Sequence, residues 1–195
     1  MRLFRSLMPL VLMAGTAEAH ADPGERLPHI GPAPQFALTT QDQRPLSLAQ
    51  LRGKVVAVTF MFTGCGDTCP ILTAKLVSIQ RQLDTAEARA VRFVAITLTP
   101  ETDTPEVLRR YAQLHGADLG HWVFLTGDWE RIHELARQYG VYVKKQPEKN
   151  AVDHAFLTSI VDQRGTIRVQ YMGVRFKPEE LLADLRGLLR ETASP

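Results

Sequence analysis

Lys54-Val55-Val56-Ala57-Val58-Thr59-Phe60-Met61-Phe62-Thr63-Gly64-Cys65-Gly66-Asp67-Thr68-Cys69-Pro70 is a β-branched and aromatic run that breaks into small and polar residues. Residues 54–62 are nearly all apolar, as in a strand buried on both faces at the centre of a sheet. Beyond them the period changes: Leu72, Leu76, Ile79 and Leu83 fall on one helical face, which predicts a helix over 70–83. A buried strand running straight into a helix opens a parallel α/β unit. It also places residues 63–69 at the carboxyl end of a strand, where open α/β sheets build their sites.

Outward from this unit the alternation continues. Val91 to Leu98 reads as a second buried strand, and Thr104-Pro105-Glu106 opens a helix with a capping hydroxyl, proline at the first position and an acid in the first turn. Trp122 to Leu125 is a short apolar run. Asp128 caps a helix that reaches Tyr139, with Gly140 as its stop. Ala155 to Val161 and Thr166 to Tyr171 flank Asp162-Gln163-Arg164-Gly165 as a hairpin, and Pro178 to Arg190 forms the last helix. Parallel strands joined by helices and closed by a hairpin predict an α/β sandwich, a mixed central sheet flanked by helices, over residues 35–192. Thioredoxin-like folds have this order.

The chain has 195 residues, 45% hydrophobic and 23% charged, the composition of a globular protein rather than a disordered or collagen-like one. A net charge of +2 gives no reason to expect a nucleic-acid partner. Two cysteines exclude a multi-disulfide scaffold and a four-cysteine zinc site. Met1 to Ala19 reads as a signal peptide, with Arg2 and Arg5, an uncharged stretch from Ser6 to Ala17, and Ala17-Glu18-Ala19 as the cleavage site. Residues 20–34, rich in Pro, Gly and charge, read as a flexible linker. Export would place both thiols in an oxidising compartment, where a partner or a metal must protect them.

Cys65 and Cys69 stand four apart, so both sulfurs can face one side if Cys69 lies in the first helical turn. A helix amino terminus favours thiolate. A structural disulfide across so short a loop is a weak staple. A thiol-disulfide exchange pair normally has two intervening residues rather than three. A peroxidatic cysteine is disfavoured because Val58 stands where its motif needs proline. A metal site is a competing reading: paired thiolates suit Cu(I) but need a further ligand. Of the six histidines, His20 would become the new N-terminus after cleavage, while His29, His115, His121 and His133 read as structural or surface side chains. His154 follows Asp153 at the end of a long loop just before the hairpin, where thiol oxidoreductases carry a cis-proline. From there it can reach both sulfurs, with Asp153 orienting the ring. Met61 and Met172 read as core filling rather than as additional ligands.

Leu51-Arg52-Gly53-Lys54-Val55-Val56, the Cys65-Gly66-Asp67-Thr68-Cys69-Pro70 loop, Thr99-Pro100-Glu101-Thr102-Asp103-Thr104-Pro105-Glu106, Val152-Asp153-His154 and the hairpin turn at 162–165 occur in the order of the Sco/SenC copper proteins, which the chain resembles over 36–189. The resemblance implies a thioredoxin-like fold and copper, as Cu(I) or Cu(II), held by Cys65, Cys69 and His154. Together with the signal peptide it leads to the expectation of a periplasmic metallochaperone rather than an enzyme, with a monomer as the expected state. Its partners would be a copper-receiving subunit, in which it builds the binuclear copper centre of cytochrome c oxidase, and a copper donor or thiol reductant. Many relatives are membrane-tethered, so membrane association is part of the expectation. The alternative is a thiol-disulfide oxidoreductase that reduces the client's cysteines, with Cys65 attacking and Cys69 resolving. Two positions depart from the family pattern: Thr99 replaces the usual aspartate, and Gly66 stands where proline is common.

Overall fold

The computed structural model describes residues 27–146 and 151–191. The expected signal peptide and residues 20–26 of the expected linker lie outside these residues. In chain order the elements are β1 (Gly31–Pro32), β2 (Ala37–Thr40), β3 (Pro45–Ser47), β4 (Val55–Met61), α1 (Thr68–Gln80), α2 (Thr85–Ala90), β5 (Val91–Thr97), α3 (Pro105–Leu114), β6 (Trp122–Thr126), α4 (Trp129–Gln138), β7 (Val143–Gln146), β8 (Ala151–His154), β9 (Leu157–Val161), β10 (Thr166–Met172) and α5 (Pro178–Glu191).

Eight strands form one mixed sheet in the order β1-β10-β9-β4-β5-β6-β2-β3, while β7 and β8 pair as a separate hairpin. β4, β5 and β6 are parallel, and β9 runs antiparallel to β4. Every residue of β4 is buried, as its unbroken apolar sequence predicts. Adjacent residues on β10 show how the sheet is covered. Tyr171 donates its hydroxyl to Asp184 on α5 at 2.5 Å, while Gln170 donates to the carbonyl of Tyr139, the cap of α4, at 3.1 Å. Successive side chains on a strand point to opposite faces, so α5 and the end of α4 cover opposite sides of the sheet. α1 packs beside α5. This is the expected thioredoxin-like sandwich.

The hairpin turn forms as expected. Asp162 Oδ1 accepts the amides of Arg164 and Thr166 at 3.0 and 2.9 Å, and Gly165 adopts φ +78°, a left-handed conformation that glycine takes without a steric cost.

Several boundaries differ from the sequence reading. The first predicted helix stops at Gln80, and a short α2 follows. Asp84-Thr85-Ala86-Glu87 is a capping box that announces it: Asp84 accepts the Ala86 and Glu87 amides at 2.8 Å, and Glu87 reaches back to the Asp84 amide at 3.0 Å. Residues 27–34 of the expected linker are docked. β1 pairs with β10, Ala33 is buried, and the Ile30 amide donates to the Ile167 carbonyl at 2.9 Å. The open edge of β10 supplies partners that composition cannot reveal. The expected long loop before His154 is the β7–β8 hairpin, and β9 starts at Leu157 rather than Ala155. No helix among the described residues is long and apolar enough to cross a membrane.

α2 is tied to α5 by Arg186, whose Nε donates to Glu87 at 2.7 Å. This hydrogen bond holds the Glu87 carboxyl below its ordinary range. A depressed carboxyl pKa stabilises the fold above the unfolded value, and the gain is lost as pH falls through the folded value. The pair is partly exposed and screened, so Glu87→Gln is expected to cost about 0.3–1 kcal/mol at neutral pH. In denaturant titrations the difference from wild type should shrink below about pH 4.5, the ordinary value for this group.

Candidate metal centre

The chain leaves β4 at Met61, whose carbonyl accepts the Leu98 amide at 2.8 Å, so β4 and β5 end side by side. Phe62 folds back under the loop, and Thr63–Gly64 turns so that the Cys65 amide donates to the Phe62 carbonyl at 3.3 Å. α1 then starts at Thr68, which places Cys69 in its first turn as the shared-face argument requires. Asp67 occupies the capping position but makes no capping hydrogen bond with its side chain. Instead the Cys69 amide donates to Cys65 Sγ at 3.4 Å. A sulfur thus receives one of the free amides of the helix start.

The two thiols are unequal. Both are free, Cys65 is half-buried, and Cys69 is 1% exposed. Burial pushes the Cys69 thiol far above its ordinary range, opposed by a hydrogen bond with the Phe62 backbone. One turn further along α1, the Thr73 hydroxyl meets the Tyr111 hydroxyl at 3.1 Å and links α1 to α3 beneath the pair. Gly66 is exposed, with open space where a side chain would stand, so the loop is open to approach at this point.

His154 stands on β8. Its ring meets Phe62 edge-on at 5.9 Å between centroids and lies 4.3 Å from the ring of Phe156. Its Nδ1 lies 3.1 Å from the Ala155 carbonyl, which sets the tautomer when that nitrogen donates. The charge of Asp153 also acts on the ring. Burial lowers the His154 pKa, opposed by the Ala155 hydrogen bond and the Asp153 charge, which favours the neutral ring. Nε2 is buried and has no hydrogen-bond partner among the described residues. Phe62 therefore connects the cysteine loop to an imidazole with an unused lone pair. Among the described residues, no three His, Cys, Asp or Glu side chains are gathered closely enough to hold a metal ion. The imidazole reaches Phe62 at the head of the cysteine loop, and no closed triad forms among the described residues.

The other candidates lie elsewhere. His29 is exposed, and His20 is outside the described residues. His115 caps α3 with its ring 4.2 Å from that of Tyr111. His133 bonds the Leu98 carbonyl at 2.9 Å and stacks on Trp129. His121 has Asp118 at 3.7 Å, three residues away in a turn. Met61 is buried in the core, and Met172 is 81% exposed at the end of β10.

One group at the site is not singled out by the sequence reading. Asp103 is 1% exposed, and its carboxylate accepts the Thr63 amide at 3.0 Å, the Thr63 and Thr97 hydroxyls at 2.5 Å each, and the Thr99 hydroxyl at 3.2 Å. Thr99, where the family pattern has aspartate, thus supplies a donor rather than a second charge. The signal that could have found this group is the threonine two residues past the end of each of two adjacent parallel strands, Thr63 and Thr99, with Met61 opposite Thr97.

The SCO1/SenC family profile matches residues 28–190. A SCO1 protein homolog of Bacillus subtilis is 31% identical over 155 residues, covering 78% of this chain and 80% of the relative. The crystal structure of a SCO1/SenC family lipoprotein from Bacillus anthracis is similar with a TM-score of 0.74 and 31% identity, covering 82% of this chain and 95% of that one. The structure of Bradyrhizobium japonicum ScoI with copper bound gives a TM-score of 0.70 and 30% identity, covering 80% of this chain and 98% of that one.

Proposed function

This chain belongs to the SCO1/SenC family, and from that membership we propose that it is a periplasmic copper chaperone. It holds copper through Cys65, Cys69 and His154 and passes it to the binuclear copper centre of cytochrome c oxidase. The observation that carries the reading is the buried, unpartnered Nε2 of His154 beside a loop with two free thiols. Two soft sulfurs and a neutral imidazole suit Cu(I). The similar protein solved with copper bound supports copper as the metal. In this reading copper draws His154 toward the pair, and the half-buried Cys65 is the sulfur that an acceptor reaches first. Ligands can then be exchanged stepwise at an open loop.

Reduced protein is expected to take up one tightly held copper ion per chain, measured by titration against a Cu(I) chelator of known affinity. Cys65→Ser and Cys69→Ser should each abolish the tight site. Tight binding that persists in both would sink the assignment.

A second reading is favoured by one contact. The Cys69 amide donates to Cys65 Sγ at 3.4 Å, which supports the more exposed Cys65 as the attacking sulfur with the buried Cys69 as resolver. Under it the chain reduces the client's cysteines before copper arrives. The reduction potential of the pair separates the two roles.

A further inference from the structure

The cysteine loop has a buried anchor that is not itself a ligand. Thr63 lies two residues before Cys65, and both its amide and its hydroxyl end on the Asp103 carboxylate. That carboxylate is fixed from the other side by Thr97 at the end of β5 and by Thr99 just beyond it. The Thr97 hydroxyl is itself held, accepting the Thr99 amide at 3.0 Å, and the Asp103 amide donates to the Thr99 carbonyl at 2.9 Å. Three segments therefore meet at one side chain: the entry to the cysteine loop, the exit of β5, and the turn that precedes α3.

The four donors are a backbone amide and three hydroxyls, and no cation is among them. A structural ion pair would need a basic partner, whereas this carboxylate gathers neutral donors from the loop that carries Cys65. A buried carboxylate must have its lone pairs met, and here the entry to the loop supplies two of the four bonds. By contrast, Asp67 makes no capping bond at the other end of the loop, and the helix start there is met by Cys65 Sγ itself. Gly64 and Gly66 add no side chains to stiffen it.

We propose that Asp103 is the positioning residue of the cysteine loop: through Thr63 it sets the place of Cys65 relative to Cys69, and so governs both the ease of joining the two sulfurs and the grip of the pair on copper. The copper half rests on the function proposed above, and the sulfur–sulfur half does not. Asp103 makes its hydrogen bonds to Thr63, Thr97 and Thr99 rather than to a sulfur, and beside its charge, which raises the Cys69 thiol, it acts through the backbone it holds.

The test compares wild type with Asp103→Ala, Asp103→Asn and Thr63→Val by two readouts. The first is the equilibrium of the pair with glutathione, in which the protein dithiol and oxidised glutathione give the protein disulfide and two reduced glutathiones. The second is Cu(I) affinity by chelator competition. Asparagine can keep its oxygen where three donors converge and turn its amide toward the Thr63 hydroxyl, so it preserves the anchor without the charge. Alanine removes the anchor.

Asp103→Ala is expected to shift the glutathione equilibrium toward the dithiol, and to weaken copper binding, by about tenfold each, the size of one lost hydrogen bond to a charged group. Asp103→Asn should stay within about threefold of wild type, and Thr63→Val should fall between the two. A lowered melting temperature alone does not count, since a purely structural residue would give it.

Folded Asp103→Ala protein with wild-type values in both measurements would overturn the proposal. Asp103→Asn shifts as large as those of alanine would overturn it too, because they would trace the effect to charge. If the alanine variant does not fold, Thr63→Val decides, and wild-type values in both readouts there reject the anchor. A shifted glutathione equilibrium in a chain that binds no copper would uphold the anchor and reject the copper reading. Tight copper binding indifferent to every variant, with an unshifted equilibrium, would do the reverse.

Discussion

His154→Ala is expected to lower copper affinity by about 100-fold or more, beyond the loss that follows removal of a group merely supporting a ligand. The fold should be nearly unaffected. The imidazole makes one polar contact, with the neighbouring Ala155 carbonyl, and its buried Nε2 has no partner among the described residues. Removing a buried polar atom that bonds nothing carries little penalty and offsets the loss of ring contacts with Phe62 and Phe156. Unfolding in denaturant should therefore differ from wild type by no more than about 1 kcal/mol. His154→Gln is a useful companion, because it fills the site without presenting an imidazole. Copper affinity at the wild-type level in either variant would remove His154 from the ligand set and turn attention to the pair as a redox couple.

Arg168→Met should do the opposite, weakening the fold while leaving copper affinity unchanged. Arg168 is 2% exposed on β10. It donates to Glu191 at 2.7 and 3.1 Å, to Asp162 at 3.4 Å, to the Pro28 carbonyl at 3.0 Å and to the Leu27 carbonyl. Methionine keeps most of the volume but leaves the buried Asp162 without its cation and the carbonyls of the entering chain without a donor. Breaking a buried pair by removing one partner costs about 3–5 kcal/mol. For a domain of this size that lowers the melting temperature by roughly 10 °C. Residues 27–32 should also become sensitive to protease. Arg168→Lys keeps the charge but loses the planar fork, and should fall between the two. The contrast is geometric: the turn at 162–165 lies at the far end of β9 from Leu157, so this network and the cysteine loop occupy opposite poles of the sheet. Copper affinity that falls in step with stability would contradict that separation.

The central unit was legible because its signals are local. An apolar run long enough for a buried strand, followed by a helical period, fixes β4 and α1 whatever surrounds them. Thr104 with Pro105, Asp128, and Asp162 with Gly165 mark helix starts and a turn through bonds to their own neighbours. The docked segment at 27–34 and the β7–β8 hairpin were not legible, because each is held by an edge or partner strand rather than by its own pattern. At the site, the sequence named Cys65, Cys69 and His154 as candidates; the structure puts the two cysteines on the loop after β4 and His154 on β8 against Phe62, without gathering the three into a metal cluster among the described residues.

By itself the sequence determined β4, α1, β5, α3, β6, α4, the β9–β10 hairpin and α5 in their order, and the placing of two cysteines where a buried strand turns into a helix, since periodicity, caps and spacing act within a few residues. Only the tertiary structure decided what surrounds them. Thr63, Thr97 and Thr99 converge on Asp103 because two parallel strands end in register, and Arg168 meets Leu27 and Glu191 because folding brings the two ends of the domain to one pole. A buried charge takes whichever partners the fold brings to it, so its role cannot be read from the residues beside it in the chain.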